Sequence, residues 1–105
     1  MNMQDLQQKA VAVLEQYHQA NEAEGKKRWS TKEIALGMTG DLGDLQKMIL
    51  AKEGYRDIEN VDQKLSHELG DVLWSLLVLS DSYDIDLEQA FLGTIEELKS
   101  RLHQG

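Results

Sequence analysis

Four acidic residues stand in two pairs on segments that otherwise have the pattern of apolar helices. Asp41 and Asp44 lie in the stretch GMTGDLGDLQKMI, and Glu68 and Asp71 lie in HELGDVLWSLLVL. Residues i and i+3 share one face of an α-helix, so each pair presents two carboxylates in roughly the same direction. At about 100° per residue, Asp41 falls inside the apolar stripe of its own helix and Asp44 falls at the edge of that stripe.

Carboxylates on apolar helix faces predict a bound cation. An ionised carboxylate that leaves water costs several kcal/mol unless it is paired or bound to a metal. The sequence offers no obvious set of four buried bases as partners. Hard dications such as Mg²⁺ take several oxygen ligands, and substrate phosphates often complete the shell. We therefore expect Mg²⁺ at these acids, with Mn²⁺ as a substitute. The alternative is four solvated helix acids, since 19 of 105 residues are acidic.

The composition predicts one all-α domain over residues 1–105. Proline and cysteine are absent, and good helix formers dominate. The net charge of −8 argues against nucleic-acid and anionic-membrane partners, because both are polyanions. The lack of cysteine rules out disulfides and thiolate metal sites. We see no signal peptide and no apolar run of membrane-spanning length, and so expect a cytoplasmic protein.

Hydrophobic periodicity and capping signals divide the chain into four amphipathic helices. The expected helices cover residues 3–22, 30–53, 61–82 and 86–102. Their expected N-terminal caps pair Asn2 with Asp5, Ser30 with Glu33, Asn60 with Gln63, and Asp86 with Gln89. Short connections predict a four-helix antiparallel bundle. The third helix is too apolar for a lone bundle, so we expect the chain to oligomerise through its apolar helices.

Three glycines interrupt the second helix at three-residue spacing, at positions 37, 40 and 43. Each costs about 1 kcal/mol relative to alanine in a helix interior. Close packing against a neighbouring helix is the expected reason. The other interpretation is that they leave room for a ligand beside the backbone of Asp41.

Several cations and one aromatic residue are candidate substrate contacts. Lys47, Lys52 and Arg56 could hold phosphates, and Lys52 is the best placed because it shares the helix face of Asp41. Trp29 follows the basic run Lys26-Lys27-Arg28 and could stack a base. The competing interpretation is that these are ordinary surface cations and that Trp29 is a packing anchor.

The sequence DLGDLQKMI, followed about 27 residues later by ELGDVLW, resembles the MazG-type all-α nucleotide pyrophosphatases. Their signature is E-E-x-x-E, a spacer, and then E-x-x-D at the start of an apolar helix. Glu68 and Asp71 match the second half. Asp41 and Asp44 fall where the last two glutamates of the first half stand, and Gly40 falls where its first glutamate often stands.

The resemblance implies hydrolysis of a nucleoside triphosphate to a monophosphate and pyrophosphate, in the removal of non-standard nucleotides. It implies a dimer or tetramer in which Asp41, Asp44, Glu68 and Asp71 bind Mg²⁺ and prepare the attacking water. A dUTP or phosphoribosyl-ATP pyrophosphatase is a related alternative. The alternative from another class is a weakly active or inactive helical oligomer that binds nucleotide or protein.

The sequence departs from the family pattern in the first half of the signature and on the last helix. Aspartate is one methylene shorter than glutamate, and Gly40 removes a potential ligand. On the last helix, where the family often carries lysine and asparagine, this chain has Thr94, Glu97, Lys99 and Arg101. A di-iron bundle is disfavoured, because Glu15 and His18 form one E-x-x-H pair and no second pair exists.

Overall fold

A computed structural model describes residues 1–104 and contains four α-helices and no strands over that range. The helices are α1 (Met3–Ala23), α2 (Thr31–Lys52), α3 (Val61–Ser82) and α4 (Leu87–Leu102). The all-α prediction is confirmed, and each helix end lies within one residue of its expected position. None of the described helices combines the length and the apolar character needed to cross a membrane.

Side chains cap three of the four helices as expected, at Asn2–Asp5, Ser30–Glu33 and Asp86–Gln89. At the start of α2, the Glu33 amide donates to Ser30 Oγ at 3.2 Å, and the Ser30 amide donates to Glu33 Oε1 at 3.4 Å. The expected capping box of Asn60 and Gln63 is wrong. Asn60 has φ 55° and ψ 41°, and its side chain makes no capping bond. A capping residue needs an extended backbone, and the left-handed conformation of Asn60 turns its side chain away from the free amides.

The buried core is small and lies where α1 and α2 meet α3. Its buried apolar members are Ala10, Ile34, Leu77 and Val78, of which Val78 is fully buried. Trp74 Nε1 on α3 donates to the carbonyl oxygen of Ala10 on α1 at 3.1 Å, so a partly buried hydrogen bond joins these two helices. The most extensive helix contact is between α2 and α3, which are the two helices that carry the acid pairs.

The fourth helix contributes little to this core. No residue of α4 is buried, and α4 touches α1 over only a short stretch. Its exposed apolar side chains are Phe91, Leu92, Leu98 and Leu102. The accessible surface is 7999 Å², whereas a compact protein of 11.9 kDa exposes about 6,000 Å². The radius of gyration is 16.9 Å, against about 13 Å for a compact chain of this length. About 2,000 Å² of surface is therefore exposed beyond that of a compact monomer.

Candidate metal centre and adjoining aromatic pocket

The contact between α2 and α3 brings the two acid pairs into one cluster. Asp41, Asp44 and Glu68 each place one carboxylate oxygen within 4.8 Å of the other two. Glu68, Asp71 and His67 form a second triad whose ligand atoms meet the same limit. Glu68 belongs to both triads. The four acids that were chosen from their spacing thus lie together across the helix interface, and their roles remain a prediction.

The electrostatic environment of the acid cluster opposes negative charge. Asp41, Glu68 and Asp71 are half-buried, and Asp44 is exposed. Burial raises the pKa of Asp41, and the charges of Asp71 and Asp44 raise it further. Burial likewise raises the pKa of Glu68, followed by the charges of Asp44 and Asp71, while His67 opposes the shift. Both effects act by destabilising the ionised carboxylate.

The cluster has the chemistry and the dimensions of a site for a hard dication. Around Mg²⁺, with bonds of about 2.1 Å, opposite ligands lie about 4.2 Å apart. The 4.8 Å limit on the oxygens of the all-carboxylate triad exceeds this by only about 0.6 Å. Glu68 Oε2 is fully buried and has no hydrogen-bond partner, which is costly for an ionised oxygen unless a cation binds it. Asp41, Asp44, Glu68 and Asp71 therefore suit a Mg²⁺ ion.

An open hollow lies directly beside the acids. It has a volume of about 390 Å³, and Asp41 and Asp71 form part of its wall together with Val13, Tyr17, Trp29 and Trp74. A second hollow of about 280 Å³ shares Trp29, Asp41 and Trp74 and extends to Gly37. The rings of Tyr17 and Trp29 are 5.1 Å apart and inclined at 32°. We call the space between Tyr17, Trp29 and Trp74 the aromatic pocket.

The glycines of α2 do not mediate close helix packing within the protomer. A Cβ atom added at Gly37, Gly40 or Gly43 would meet no atom within 4 Å. The expectation of a tight helix contact is therefore wrong for this protomer, because these positions face open space. Gly37 instead lines the second hollow, which agrees with the interpretation that the glycines leave room beside Asp41.

Of the three candidate phosphate-binding cations, only Lys47 reaches the cluster. Its Nζ lies 3.9 Å from Asp44 Oδ1. Lys52 instead forms an ion pair with Asp62 in the first turn of α3. Lys52 shares the helix face of Asp41, as expected. It lies eleven residues further along α2, however, and at 1.5 Å per residue this places it about 16 Å from Asp41 along the helix axis. Arg56 is exposed in the connection between α2 and α3.

The basic run before Trp29 is largely engaged in local ion pairs. Arg28 pairs with Glu15 and Glu22, and Lys26 pairs with Glu24. These pairs are exposed, so they leave the cationic groups accessible but do not aim them at the acids.

Two residues at the site were not selected from the sequence. His67 Nε2 lies 3.2 Å from Asp71 Oδ2, and the signal for this contact was the (i, i+4) spacing in HELGD. Trp74, in the apolar part of α3, has the sequence context of an ordinary core or interface residue. It does donate a hydrogen bond into the core, but its ring also lines both hollows. No local pattern distinguishes these two roles.

Comparison with known proteins identifies the family. Residues 31–105 match the family profile described as "MazG nucleotide pyrophosphohydrolase domain". A relative, "Gene 37 protein" of Mycobacterium phage L5, is 30% identical over 76 residues, which cover 69% of this chain and 66% of that protein. The chain thus spans just under two thirds of that relative's length. No solved structure matches the chain. Because the profile match includes α2, α3 and all four clustered acids, the resemblance seen in the sequence is confirmed, and the chain belongs to the MazG nucleotide pyrophosphohydrolase family.

Proposed function

We propose that this protein is a Mg²⁺-dependent nucleoside triphosphate pyrophosphohydrolase. In this reaction water adds across the bond between the α- and β-phosphates, and the products are a nucleoside monophosphate and pyrophosphate. The observation that carries the proposal is the convergence of Asp41, Asp44, Glu68 and Asp71 beside the aromatic pocket. Such a cluster suits a cation on which phosphates bind, and the pocket suits a base.

The charge of the chain makes a bound dication a requirement of this proposal. A triphosphate is a polyanion, and a chain of net charge −8 with four clustered carboxylates repels it. When bound, the ion would neutralise the phosphates and hold them at the acids. Carboxylates of the cluster would hold the ion, and one that is left free of the ion would accept a proton from the attacking water. Lys47 is the cation best placed to contact an outer phosphate.

The aromatic pocket supplies a surface for the nucleobase. Trp29 and Trp74 line both hollows, and both hollows are bounded by Asp41. Stacking of a base on an aromatic ring is worth about 1–3 kcal/mol and depends little on the identity of the base. A pocket built from aromatic faces therefore accepts altered bases. This tolerance supports a role in removing non-standard nucleotides.

The uncovered apolar surface supports a homodimer or homotetramer. Obligate interfaces bury about 2,000–5,000 Å² in total, which is about 1,000–2,500 Å² per partner. The excess surface of about 2,000 Å² on this protomer falls in that range. The exposed leucines of α3, at positions 69, 73 and 76, and the apolar side chains of α4 are the surfaces we assign to this interface. Light scattering at micromolar concentration should give a mass of two or four protomers, whereas a monomer would contradict this assignment.

A weakly active or inactive nucleotide- or protein-binding oligomer is the second candidate. The specific observation in its favour is the scarcity of cations at the acids. Lys47 is the only lysine or arginine of the described chain for which an ion pair with the cluster is found, and Lys99 pairs with Glu96 on its own helix. The shorter aspartates and Gly40 also reduce the number of ligand groups available.

A pyrophosphate-release assay separates the two candidates. The purified protein is incubated with standard and modified nucleoside triphosphates in the presence of Mg²⁺ or Mn²⁺. We expect release of pyrophosphate, and a loss of most activity in D41N and E68Q while their helical circular dichroism is unchanged. E97Q removes the same charge from exposed α4 and should remain active. No pyrophosphate from any substrate would favour the binding module, and full activity in D41N and E68Q would contradict the site.

A further inference from the structure

The connection between α1 and α2 carries Trp29, which forms part of the wall of the aromatic pocket. The first residues of this connection are fixed to the end of α1, where the Lys26 amide donates to the carbonyl oxygen of Asn21 at 2.7 Å. Over residues 27–29, no backbone–backbone hydrogen bond is found within the described residues 1–104. A segment without such bonds opens at little cost unless its side chains hold it. The position of Trp29 therefore depends on side-chain contacts.

Arg28 joins this segment to α1 at two points. Its Nη2 lies 2.7 Å and 2.9 Å from the two carboxylate oxygens of Glu15, and its Nε lies 3.1 Å from Glu22 Oε1. Glu15 and Glu22 are seven residues apart, so they share one side of α1 and are separated by about 10 Å along its axis. The several donors of one guanidinium thus connect two turns of the helix, whereas a lysine offers a single ammonium.

The next side chain, Trp29, contacts a different side of α1. Its ring lies 5.1 Å from that of Tyr17. At about 100° per residue, Tyr17 is about 160° around the helix from Glu15, and His18 falls between them. The side chain of His18 is only 12% exposed, which agrees with a connection that lies across this side of the helix. Arg28 and Trp29 therefore hold the connection on α1 from two directions.

We propose that Arg28 positions Trp29 for the nucleobase, because its ion pairs with α1 hold the connection in place and so keep the indole ring on Tyr17 beside the acids. Arg28 itself would not touch the substrate. Two carboxylates already match its charge, which leaves it poorly suited to hold a phosphate as well. This inference rests on the proposed function in that the aromatic pocket is taken as the base site, but it does not depend on hydrolysis.

The test uses two probes that separate the base from the phosphates. Adenosine is uncharged, and its binding is followed by the NMR shifts of the tryptophan indole signals. Inorganic pyrophosphate with Mg²⁺ has no base, and its binding is followed by calorimetry. R28Q should weaken adenosine binding by about 2- to 30-fold, since each of two exposed ion pairs changes an equilibrium constant by about 1.4- to 5-fold. Its binding of pyrophosphate should equal that of the wild type.

Further variants distinguish positioning from direct contact with the ligand. The double variant E15Q/E22Q removes both partners and leaves Arg28 in place, so it should reproduce the loss seen in R28Q. An arginine that contacted the ligand itself would be freed by that change, and adenosine would bind as in the wild type. R28K keeps the charge without the fork of donors and should restore part of the affinity. K26Q is the matched control, because Lys26 pairs with Glu24 in the same connection and K26Q should behave as the wild type.

Two readouts report on the connection without any turnover. The nuclear Overhauser effect between the rings of Tyr17 and Trp29 should be clear in the wild type and weaker in R28Q and in E15Q/E22Q. High salt should weaken adenosine binding in the wild type, since it screens the ion pairs of Arg28, and should have little effect in R28Q. Unchanged helical circular dichroism shows that the variants are folded.

The outcomes separate this inference from the proposed function. Equal adenosine affinity in the wild type and R28Q, wild-type affinity in E15Q/E22Q, or a loss of pyrophosphate binding in R28Q would overturn the positioning role. A wild type that binds no adenosine would overturn it too, even if triphosphates were hydrolysed. A protein whose adenosine binding requires Arg28 but which releases no pyrophosphate would keep the inference and refute the proposed reaction.

Discussion

Replacement of Glu68 by glutamine should stabilise the protein in the absence of metal and abolish its response to Mg²⁺. Glutamine has the same shape, so the packing of the side chain is retained and only the charge is lost. Two unit charges 4.8 Å apart repel by about 0.9 kcal/mol at the dielectric constant of water. Glu68 faces Asp41 and Asp44 within that limit in one triad and Asp71 beside His67 in the other. Because His67 opposes the charge of Asp71, we count only Asp41 and Asp44, and E68Q then relieves about 1.7 kcal/mol. For a chain of this length that is a rise in Tm of about 7–14 °C.

Mg²⁺ should raise the Tm of the wild type and not that of E68Q. An ion that binds only the folded wild type at ten times its Kd adds about 1.4 kcal/mol to the free energy of unfolding. The wild type should then unfold about 6–11 °C higher, whereas E68Q should hardly change. The difference in Tm between E68Q and the wild type, which is large without metal, should nearly disappear at this Mg²⁺ concentration.

The assay is thermal unfolding followed by circular dichroism, at low ionic strength and at one protein concentration, because assembly makes Tm concentration-dependent. High salt should reduce the difference in Tm between the metal-free proteins, since it screens the repulsion between the carboxylates. E97Q is the matched control, with the same loss of charge on an exposed helix and no expected gain. If metal-free E68Q is less stable than the wild type, or if Mg²⁺ stabilises both equally, the carboxylates do not form a strained cation site.

Three other changes test the remaining parts of the structure. The raised pKa values of Asp41 and Glu68 mean that the folded state binds protons more tightly than the unfolded state. The metal-free protein should therefore lose stability as the pH rises from about 4 through the folded pKa values. Urea titrations measure this loss, and with saturating Mg²⁺ they should show a weaker dependence of the free energy of unfolding on pH. W29A should raise KM by about 5- to 150-fold with a smaller effect on kcat, because stacking worth about 1–3 kcal/mol is lost; an unchanged KM would exclude Trp29 from the base site. L77A should lower the free energy of unfolding by about 2–5 kcal/mol in chemical denaturation, since Leu77 is buried in the core, whereas L36A, at an exposed position of α2 outside the assigned interface, should have little effect.

The features that the sequence predicted correctly depend on local spacing. Helix bounds followed from hydrophobic period and from caps such as Ser30, whose bonding partner lies three residues away. The clustering of the acid pairs followed from the helical period and the cost of burying charge. The predictions that the structure contradicts have a different origin. The placement of Lys52 needed the distance along the helix axis as well as the angle around it, and its ion pair with Asp62 depends on how α3 begins.

Other features depend on contacts between distant parts of the chain. The left-handed backbone of Asn60 is set by the connection between α2 and α3, so a capping sequence did not produce a cap. Trp74 reaches Ala10 across 64 residues, a partner that no local pattern identifies. The small contribution of α4 to the core is equally hidden, because an amphipathic stripe does not reveal whether its partner is in the same chain.

The hydrogen bond between Trp74 and Ala10 has a consequence for how this protein could diversify. It fixes α1 against α3, and α1 contributes Val13 and Tyr17 to the wall beside the carboxylates. Yet α1 precedes the segment that carries the family signature. If the proposed function holds, substitutions on this helix would change the wall that faces the nucleobase without replacing any of the clustered carboxylates on α2 and α3. One part of the pocket wall can therefore vary independently of the acids, while Trp74 ties the rest of that wall to α3.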